Sequence, residues 1–308
     1  MQPLSQFFKD KKQININVDS DGIFSAAILR KYYDCEICGF NNNDKIILHE
    51  KGIPYEDLTY VDLRVGYPHI RCIDQHMVSV DEKHNEILKA NPNKINPNVE
   101  FDVVWKDYTH KFPFSTTIYL LVKAEAEGKD LSNIDLDVQV AQGITLGDLI
   151  WHTDSSSDNF YKYNVNASNW IERLKKMSNN GAFTLRLIKY LENHVPSDFS
   201  TRATYYMRIG LWYRETFGCD NNHGGIRQDF IDTNGKIIPK MFSYIQHIFA
   251  LLDTNANELE DKLFDMTVFK SKRFSYADKK DTFDSAKLFS YSFIWGMNKD
   301  KNISATYQ

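Results

Sequence analysis

The chain has 308 residues but only four cysteines, and this scarcity limits the sites that cysteine could form. Cys35 and Cys38 make a CxxC pair, which suggests either a zinc knuckle or a redox pair. A structural zinc site commonly needs a second matching pair, and the sequence has none. Buried thiols in a reducing compartment are therefore the favoured interpretation of these residues.

Long apolar runs are also missing. No stretch approaches the roughly 18 uninterrupted apolar residues that cross a bilayer. The first residues, MQPLSQFFKDKKQ, lack the positive start, apolar run and small-residue cleavage site of a signal peptide. We therefore expect a soluble, cytoplasmic protein with no membrane partner.

The chain has no large excess of either charge, since its formal net charge is −4 and its pI is about 6.1. A strongly basic protein would have indicated a long nucleic-acid track. This balance favours short nucleic acids or small nucleotides as partners, although one local basic patch would be compatible with it. The oligomeric state is left open, with a homodimer as one option.

Short apolar runs alternate with helical patterns in the first half. We predict strands at 14–18, 35–40, 45–50, 58–63 and 69–74, and helices at 22–33 and 115–128. The second of these helices has Ser115 or Thr116 as its N-cap. Segment 137–144 reads as a strand or a buried helix. Strands interleaved with helices predict an α/β fold with a mainly parallel sheet.

The pattern changes after residue 155. Residues 168–193 look helical, another helix ends at Gly218, and a further one lies near 239–252. Segment 229–238 reads as a hairpin with Asn-Gly at its turn, and strands follow towards the end. We predict a catalytic domain at 1–160, a helical connector at 161–218 and a smaller α+β substrate-binding cap at 219–308, with 219–225 as a linker.

Five aspartates and one histidine follow the predicted strands, and their positions suggest a metal site. The residues are Asp19, Asp21, Asp62, Asp74, His76 and Asp148. In a parallel sheet the carboxyl ends of the strands converge on one crevice. Carboxylates gathered there would repel one another unless cations lay between them. Oxygen ligands with an imidazole suit Mn²⁺ or Mg²⁺, and two ions roughly 3.5–4 Å apart would suit phosphoryl displacement.

Gly22 allows a sharp turn where the first predicted helix begins. The free N–H groups at that helix start would favour a phosphate in the same crevice. Predicted substrate contacts are Gly22, Ser25, Arg64, Gln75, Lys270, Lys272 and Arg273.

Four motifs in order resemble the DHH phosphoesterase superfamily, which includes RecJ-type exonucleases, oligoribonucleases, cyclic-dinucleotide hydrolases and family II pyrophosphatases. They are DSDGIFSAAIL (19–29), YVDL (60–63), IDQH (73–76) and GDLIWHTD (147–154), with PFSTTIYLLVKA (113–124) resembling the helix between the last two. The resemblance covers about residues 14–154.

The resemblance implies a metal-dependent phosphodiesterase that acts on short oligonucleotides or nucleotide signals. It implies metal ligation by Asp19, Asp21, Asp62 and Asp148, with Asp62 as the bridge between ions and a metal-activated water as the nucleophile. His76 matches the residue that contacts the phosphate and is also a predicted ligand. Asp74 would orient the motif, so His76 and Asp74 are the predicted catalytic residues.

Two departures from the family pattern keep an alternative open. Gln75 stands where relatives have a metal-ligating His, and Asn15 and Asn17 stand where relatives often have a His. An amide oxygen is a poorer ligand than imidazole, so one ion would bind weakly or His76 would replace the missing ligand. The alternative is a catalytically inactive DHH-fold protein that binds nucleic acid or a protein partner.

Three further patterns have competing interpretations. DSDGIF is also typical of the start of haloacid dehalogenases, where the first Asp is a nucleophile, but IDQH has no place in that chemistry. His152 and Asp154 are extra ligands or part of a solvated loop. In FKSKRFSY (269–276), basic and aromatic residues alternate, which indicates either a nucleic-acid surface or an ordinary strand with its apolar face inward.

Overall fold

The computed structural model describes residues 2–42, 45–152, 164–194, 199–219, 230–275, 284–295 and 301–307. The helices are α1 (Leu4–Phe7), α2 (Ser20–Tyr33), α3 (Glu82–Ala90), α4 (Pro97–Glu100), α5 (Thr116–Ala126), α6 (Leu146–His152), α7 (Asn164–Met177), α8 (Ala182–His194), α9 (Phe199–Phe217) and α10 (Pro239–Leu251). Short 3₁₀ turns lie at Tyr55–Asp57, Trp105–His110, Asn257–Glu260 and Ser285–Lys287.

The strands form three sheets among the described residues. They are β1 (Gln13–Asn17), β2 (Glu36–Asn42), β3 (Ile46–Glu50), β4 (Thr59–Val61), β5 (Cys72–Ile73), β6 (Lys94–Ile95), β7 (Gln139–Ala141), β8 (Ile144–Thr145), β9 (Phe264–Val268), β10 (Lys270–Ser275), β11 (Ser290–Trp295) and β12 (Lys301–Tyr307). The largest sheet has seven strands in the order β6-β5-β4-β1-β2-β3-β9, the second has the order β10-β12-β11, and β7 pairs with β8.

The large sheet is parallel from β6 to β2 and antiparallel at the other end, where β3 pairs with β2 and β9 pairs with β3. The predicted α/β class with a mainly parallel sheet is confirmed. The pairing of β2 with β3 is antiparallel because only three residues separate the two strands, too few for the crossover connection that a parallel pair requires.

The core is built around the first helix after β1. Asp19 is the N-cap of α2, and its side chain accepts a hydrogen bond from the Gly22 N–H at 3.0 Å. Helices α5 and α10 pack against α2, whose side chains from Ser20 to Leu29 are buried. A methyl group on Gly22 would lie 2.2 Å from the Asn17 carbonyl oxygen. Glycine therefore permits the close approach of α2 to the end of β1.

Two predictions for the middle of the chain change in detail. The helical stretch predicted at 168–193 is two helices, α7 and α8, because Asn179 and Asn180 adopt left-handed backbone conformations between them. Segment 137–144, left open as strand or helix, contains β7 and the start of the β7–β8 hairpin, with Gly143 at positive φ in its turn.

The C-terminal segment contacts the sheet in two places. Strand β9, inside the predicted cap domain, is the last strand of the large sheet. The three-stranded sheet meets the loop after β4, where Val65 bridges Ser290 and the Gly66 N–H donates to the Phe289 carbonyl at 2.8 Å. The predicted domain boundaries stay predictions.

Two remaining predictions concern the hairpin and the membrane. In the segment predicted as a hairpin, Ile231 bridges Ile237 across a turn that contains Gly235. Most of the predicted linker at 219–225 lies outside the described residues. None of the helices in the described ranges combines the length and apolar character that a bilayer crossing requires.

Candidate metal centre

The predicted acidic residues follow neighbouring parallel strands at the same edge of the large sheet. Asp19 and Asp21 follow β1, Asp62 follows β4, and Asp74 and His76 follow β5. Since β1, β4 and β5 are adjacent and parallel, their carboxyl ends lie side by side. This is the edge at which open α/β sheets bind ligands.

Asp62, Asp74 and His76 form the centre of the site. Each offers one ligand atom, and these atoms all lie within 4.8 Å of one another. His76 Nε2 lies 3.7 Å from Asp62 Oδ1. Both carboxylates are buried, whereas the His76 side chain keeps 25% of its surface exposed. The cluster is therefore open to solvent on the side of the imidazole.

Asp74 has one oxygen that accepts no hydrogen bond from the described residues. Its Oδ2 accepts a hydrogen bond from the Met77 N–H at 2.7 Å, whereas its Oδ1 is buried and has no donor among them. A buried oxygen without a partner is costly. Two carboxylates and an imidazole suit a divalent cation such as Mn²⁺ or Mg²⁺. These three residues therefore fit one ion.

Asp62 has an unusual backbone, with φ of 59° directly after β4. Aspartate enters this left-handed region more readily than most residues, but the region still costs energy. The Asp62 N–H donates to the Ile73 carbonyl at 2.8 Å, and the Thr116 hydroxyl donates to Asp62 Oδ1 at 2.9 Å. The backbone and the carboxylate are thus both fixed by neighbouring elements.

Asp21 lies at the N-terminus of α5, next to Asp62. Its Oδ2 accepts from the Thr116 N–H at 2.9 Å, and its Oδ1 accepts from the Thr117 N–H at 2.8 Å and the Thr117 hydroxyl at 2.6 Å. A carboxylate is favoured at this position because the helix dipole and the free N–H groups are positive there. Asp21 therefore joins the starts of α2 and α5.

Asp19 is linked to Asp62 through Asn17. The Asn17 amide nitrogen lies 2.7 Å from Asp19 Oδ2 and 3.3 Å from Asp62 Oδ2. Asn15, the other position where relatives often have a histidine, points away into the sheet. Its amide donates to the Leu48 carbonyl at 2.9 Å, and its oxygen accepts from Asn41 at 3.0 Å.

Asp148 lies in the first turn of α6, where both of its oxygens have protein donors. The Thr145 N–H donates to Oδ2 at 2.8 Å, and the Tyr190 hydroxyl donates to Oδ1. Burial, with the Asp148 hydrogen bond, raises the pKa of Tyr190 above its usual value. Tyr190 thus stays protonated and keeps donating. Asp19, Asp21 and Asp148 lie outside the three-residue cluster, and their role as ligands stays a prediction.

The loop that carries Asp74 and His76 is held by two asparagines. Asn96 donates to the Asp74 carbonyl, and Asn98 donates to the carbonyls of Gln75 and Met77 at 2.7 and 3.0 Å. Our sequence interpretation missed both residues. The signal that could have found them is Asn-Pro-Asn after a short strand, since Asn96 caps α4 and Pro97 occupies its first turn.

The predicted substrate residues near the cluster have structural contacts. Ser25 is completely buried, and its hydroxyl lies 3.2 Å from the Thr117 hydroxyl. Gly22 allows the close packing of α2 against β1. The Gln75 amide nitrogen lies 2.8 Å from His76 Nε2. Of these three residues, Gln75 therefore borders the metal cluster. Their substrate roles stay predictions.

Arg64, two residues after Asp62, is half-buried. Burial raises the pKa of Tyr291, and both Arg64 and Asp74 act on it electrostatically. Arg64 therefore lies near the same tyrosine as Asp74. Its predicted phosphate contact stays untested.

The basic strand predicted to bind nucleic acid is β10. Lys270 and Lys272 are exposed, and Arg273 pairs with Ser304 of β12. Phe269 packs inward instead, because it is 3% exposed and its ring stacks on Phe289 with centroids 4.1 Å apart. Phe269 is therefore a core residue in its present position and is not available to stack on a base.

The structure describes His152 and the four cysteines, which were the remaining predicted candidates together with Asp154. His152 is buried beside Tyr213, with ring centroids 6.3 Å apart, so it does not lie in a solvated loop. Asp154 lies outside the described residues. The four cysteines are buried free thiols, as favoured above.

Comparison of the chain with protein-family models, with curated proteins and with solved structures found no match. The resemblance to the DHH superfamily therefore rests on the four motifs alone.

Proposed function

We propose that this protein is a metal-dependent phosphodiesterase of the DHH type, which hydrolyses phosphodiester bonds in short oligonucleotides or nucleotide signals. The observation that carries this proposal is the cluster of Asp62, Asp74 and His76 at the carboxyl ends of β4 and β5. Its support is the unused Asp74 oxygen, which a cation would satisfy.

In this proposal, Asp62, Asp74 and His76 hold one Mn²⁺ or Mg²⁺ ion, and Asp19, Asp21 and Asp148 serve a second. A divalent cation supplies a Lewis acid for the phosphoryl oxygens and a nucleophile near neutral pH. Asp62 would be the ligand shared between the two ions, because Asn17 and Thr116 connect it to Asp19 and Asp21.

The protein's own part is to fix these groups before the substrate arrives. Thr116 orients the Asp62 carboxylate, and Asn98 holds the loop beneath His76. Preorganised ligands need no rearrangement during the reaction. His76, with its partly exposed ring, would contact the phosphate.

The first experiment measures turnover of bis-p-nitrophenyl phosphate by the Mn²⁺-loaded protein. Asp62→Asn and Asp74→Asn each remove a charge while keeping the side-chain size, and asparagine tolerates the left-handed backbone of Asp62. Mutation of a residue that only hydrogen-bonds to a metal ligand typically lowers metal affinity or activity about 10–100-fold. Loss of a ligand itself should therefore lower the turnover of each variant by about 100-fold or more.

Asp102→Asn is the matched control, because Asp102 has the same φ of 59° but lies exposed beside Lys89. It should keep full activity. Calorimetric titration with Mn²⁺ should show weaker binding by the two site variants and unchanged binding by the control. Unchanged turnover in both site variants would refute the proposed centre.

A second candidate, from a different class, is a catalytically inactive DHH-fold protein that binds nucleic acid or a protein partner. It is favoured by the protein donors that already engage both oxygens of Asp21 and of Asp148. Short DNA, short RNA, cyclic dinucleotides and pyrophosphate should be tested with Mn²⁺, Mg²⁺ and Co²⁺. Inactivity on all of them, with intact metal binding, would favour this alternative.

A further inference from the structure

The seventh strand of the large sheet has one edge that pairs with no other strand among the described residues. Strand β9 pairs with β3 on one side and is the last strand in the order. The Lys51 N–H donates to the Leu263 carbonyl and the Phe269 N–H donates to the Lys45 carbonyl. Hydrogen bonding alternates along an antiparallel pair, so the backbone N–H and C=O groups of the odd-numbered β9 residues point towards β3. The backbone groups of Phe264, Met266 and Val268 therefore point outward.

This edge also exposes apolar side chains. Met266 is 58% exposed and Val268 is 65% exposed, although both lie on the same sheet face as the buried Phe264. Natural sheets usually protect such an edge with charges, prolines or a covering segment. Within the described part of the chain, the outward-facing residues Met266 and Val268 have none of these protections.

One position along the edge is already occupied. The Phe264 N–H donates to the Gly235 carbonyl at 2.9 Å, so the 232–235 turn covers the beginning of β9. Met266 and Val268 are then the outward positions left for a partner strand. A partner that uses both can pair with only a short stretch of β9.

The residues at the two ends of β9 have opposite charges. Glu260 and Asp261 are exposed where the chain enters the strand, whereas Lys270 and Lys272 are exposed where it leaves. In an antiparallel pair of identical strands, the acidic entry of one copy lies beside the basic exit of the other. The edge is therefore complementary to itself in the antiparallel direction.

We propose that the protein forms a two-fold homodimer in which β9 pairs antiparallel with β9 of a second copy. The register centres on Thr267, so that Met266 of each copy hydrogen-bonds with Val268 of the other. This arrangement uses both outward positions, avoids the turn at Gly235 and places the apolar side chains against each other. The proposal is independent of the enzymatic function.

The dimer should be reversible, because a strand pair this short buries less than the roughly 1,200 Å² of a standard stable interface. We expect sedimentation velocity to show a shift from monomer to dimer as the protein concentration rises from about 1 µM towards the millimolar range. A monomer throughout that range would overturn the proposal.

The double variant Met266→Lys/Val268→Lys places lysines opposite lysines across the pair. Like charges in contact should raise the dimer dissociation constant by about tenfold or more. Ile87→Lys is the matched control, since Ile87 is 59% exposed on α3, away from the edge. Equal dissociation constants for the double variant and the control would overturn the proposed interface.

Charge reversal tests the antiparallel direction. Glu260→Lys/Asp261→Lys should weaken the dimer, and adding Lys270→Glu/Lys272→Glu in the same chain should restore it. Weakening without restoration would contradict the proposed pairing of the entry with the exit.

A cysteine pair tests the register. Thr267 would lie opposite its own copy in a non-hydrogen-bonded pair, where Cα atoms are about 4.5 Å apart, within disulfide range. Oxidised Thr267→Cys should therefore give a covalent dimer. Asp265→Cys is the control, because Asp265 is more exposed but would face Phe269 of the other copy. Cross-linking of Asp265→Cys at an equal or higher yield would refute this register.

Discussion

A buried lysine stabilises each end of the large sheet, and the two lysines are satisfied in different ways. At the parallel end, Lys94 of β6 donates to the carbonyls of Val65, Tyr67 and Ile70 at 2.7–2.8 Å. At the antiparallel end, Lys262 contacts Glu36 and Glu50, each at 2.8 Å, and also donates to the Ile37 carbonyl at 2.8 Å. The Lys94 cation is thus held by dipoles alone, whereas the Lys262 cation is held mainly by opposite charges.

The pKa values follow from this difference. Burial lowers the pKa of Lys94, because carbonyl dipoles only partly replace the lost water. Burial also acts on Lys262, but the hydrogen bonds to Glu36 and Glu50 outweigh it and raise its pKa. Lys94 therefore holds a loop through its carbonyls, whereas Lys262 joins two strands through their carboxylates.

Substitution of Lys94 should have the largest effect on stability. Lys94→Met removes the ammonium donor from three carbonyls, although the Tyr67 carbonyl keeps the Ile70 N–H, and each buried group left unpaired costs about 1–3 kcal/mol before relaxation. We expect the free energy of unfolding to fall by about 3 kcal/mol in urea titration. Lys89→Met is the control, since its pair with Asp102 is exposed and should contribute little. Equal losses in the free energy of unfolding for Lys94→Met and Lys89→Met would show that Lys94 does not hold the loop.

Substitution of Lys262 should have a smaller effect, of about 2 kcal/mol. Lys262→Met leaves two carboxylates without a cation, but Glu36 and Glu50 are partly exposed, so water screens them. Adding Glu36→Gln and Glu50→Gln to this variant should recover part of the loss, as a double-mutant cycle would show. Additive losses would mean that these charges do not interact.

His84 is a third buried titratable side chain, and its ordinary pKa lies near neutral pH. Its Nδ1 accepts from the Val80 N–H at 3.2 Å and its Nε2 lies 2.9 Å from the Ser285 hydroxyl. Burial lowers the pKa of His84, and Asp81 and Asp284 only partly oppose this. The neutral ring therefore suits the folded state.

Acidification should consequently destabilise the protein through His84. Below pH 6.5 the unfolded chain takes up a proton that the folded His84 resists, so stability falls from pH 6.5 down to the folded pKa. The slope cannot exceed about 1.4 kcal/mol per pH unit for one group. His84→Gln should remove this component from unfolding curves measured between pH 7.5 and 5. If the stability of the unchanged protein and of His84→Gln fell equally with decreasing pH, His84 would not be the source of the pH dependence.

The local patterns in the first half were predictable because each depended on neighbouring residues. Helix α5 begins at the predicted cap, with the Ser115 hydroxyl accepting from the Ile118 N–H. The acidic residues after β1, β4 and β5 meet at one edge because parallel strands force this. The antiparallel pairing of β3 and β9 was not predictable, since it joins segments more than 200 residues apart.

Two polar contacts, one in the sheet and one in the site, could not be predicted for a different reason. Lys94 reads as a surface residue, and only the folded loop shows the three carbonyls around it. Tyr190 lies 42 residues after Asp148, and nothing in a helical pattern indicates that its hydroxyl reaches that carboxylate. Long-range polar contacts of this kind depend on tertiary geometry.

The capping roles of Asp19 and Asp21 affect how related sequences should be interpreted. Both carboxylates accept hydrogen bonds from the first N–H groups of helices, so selection for folding alone would preserve them in a related protein that binds no metal. Asp74 is more informative about the proposed metal site, because only its Oδ2 has a structural role, as acceptor of the Met77 N–H, whereas its Oδ1 accepts no hydrogen bond from the described residues. An asparagine could keep the Oδ2 bond, so an aspartate retained at this position in related sequences would favour the proposed function more than the acidic pair does.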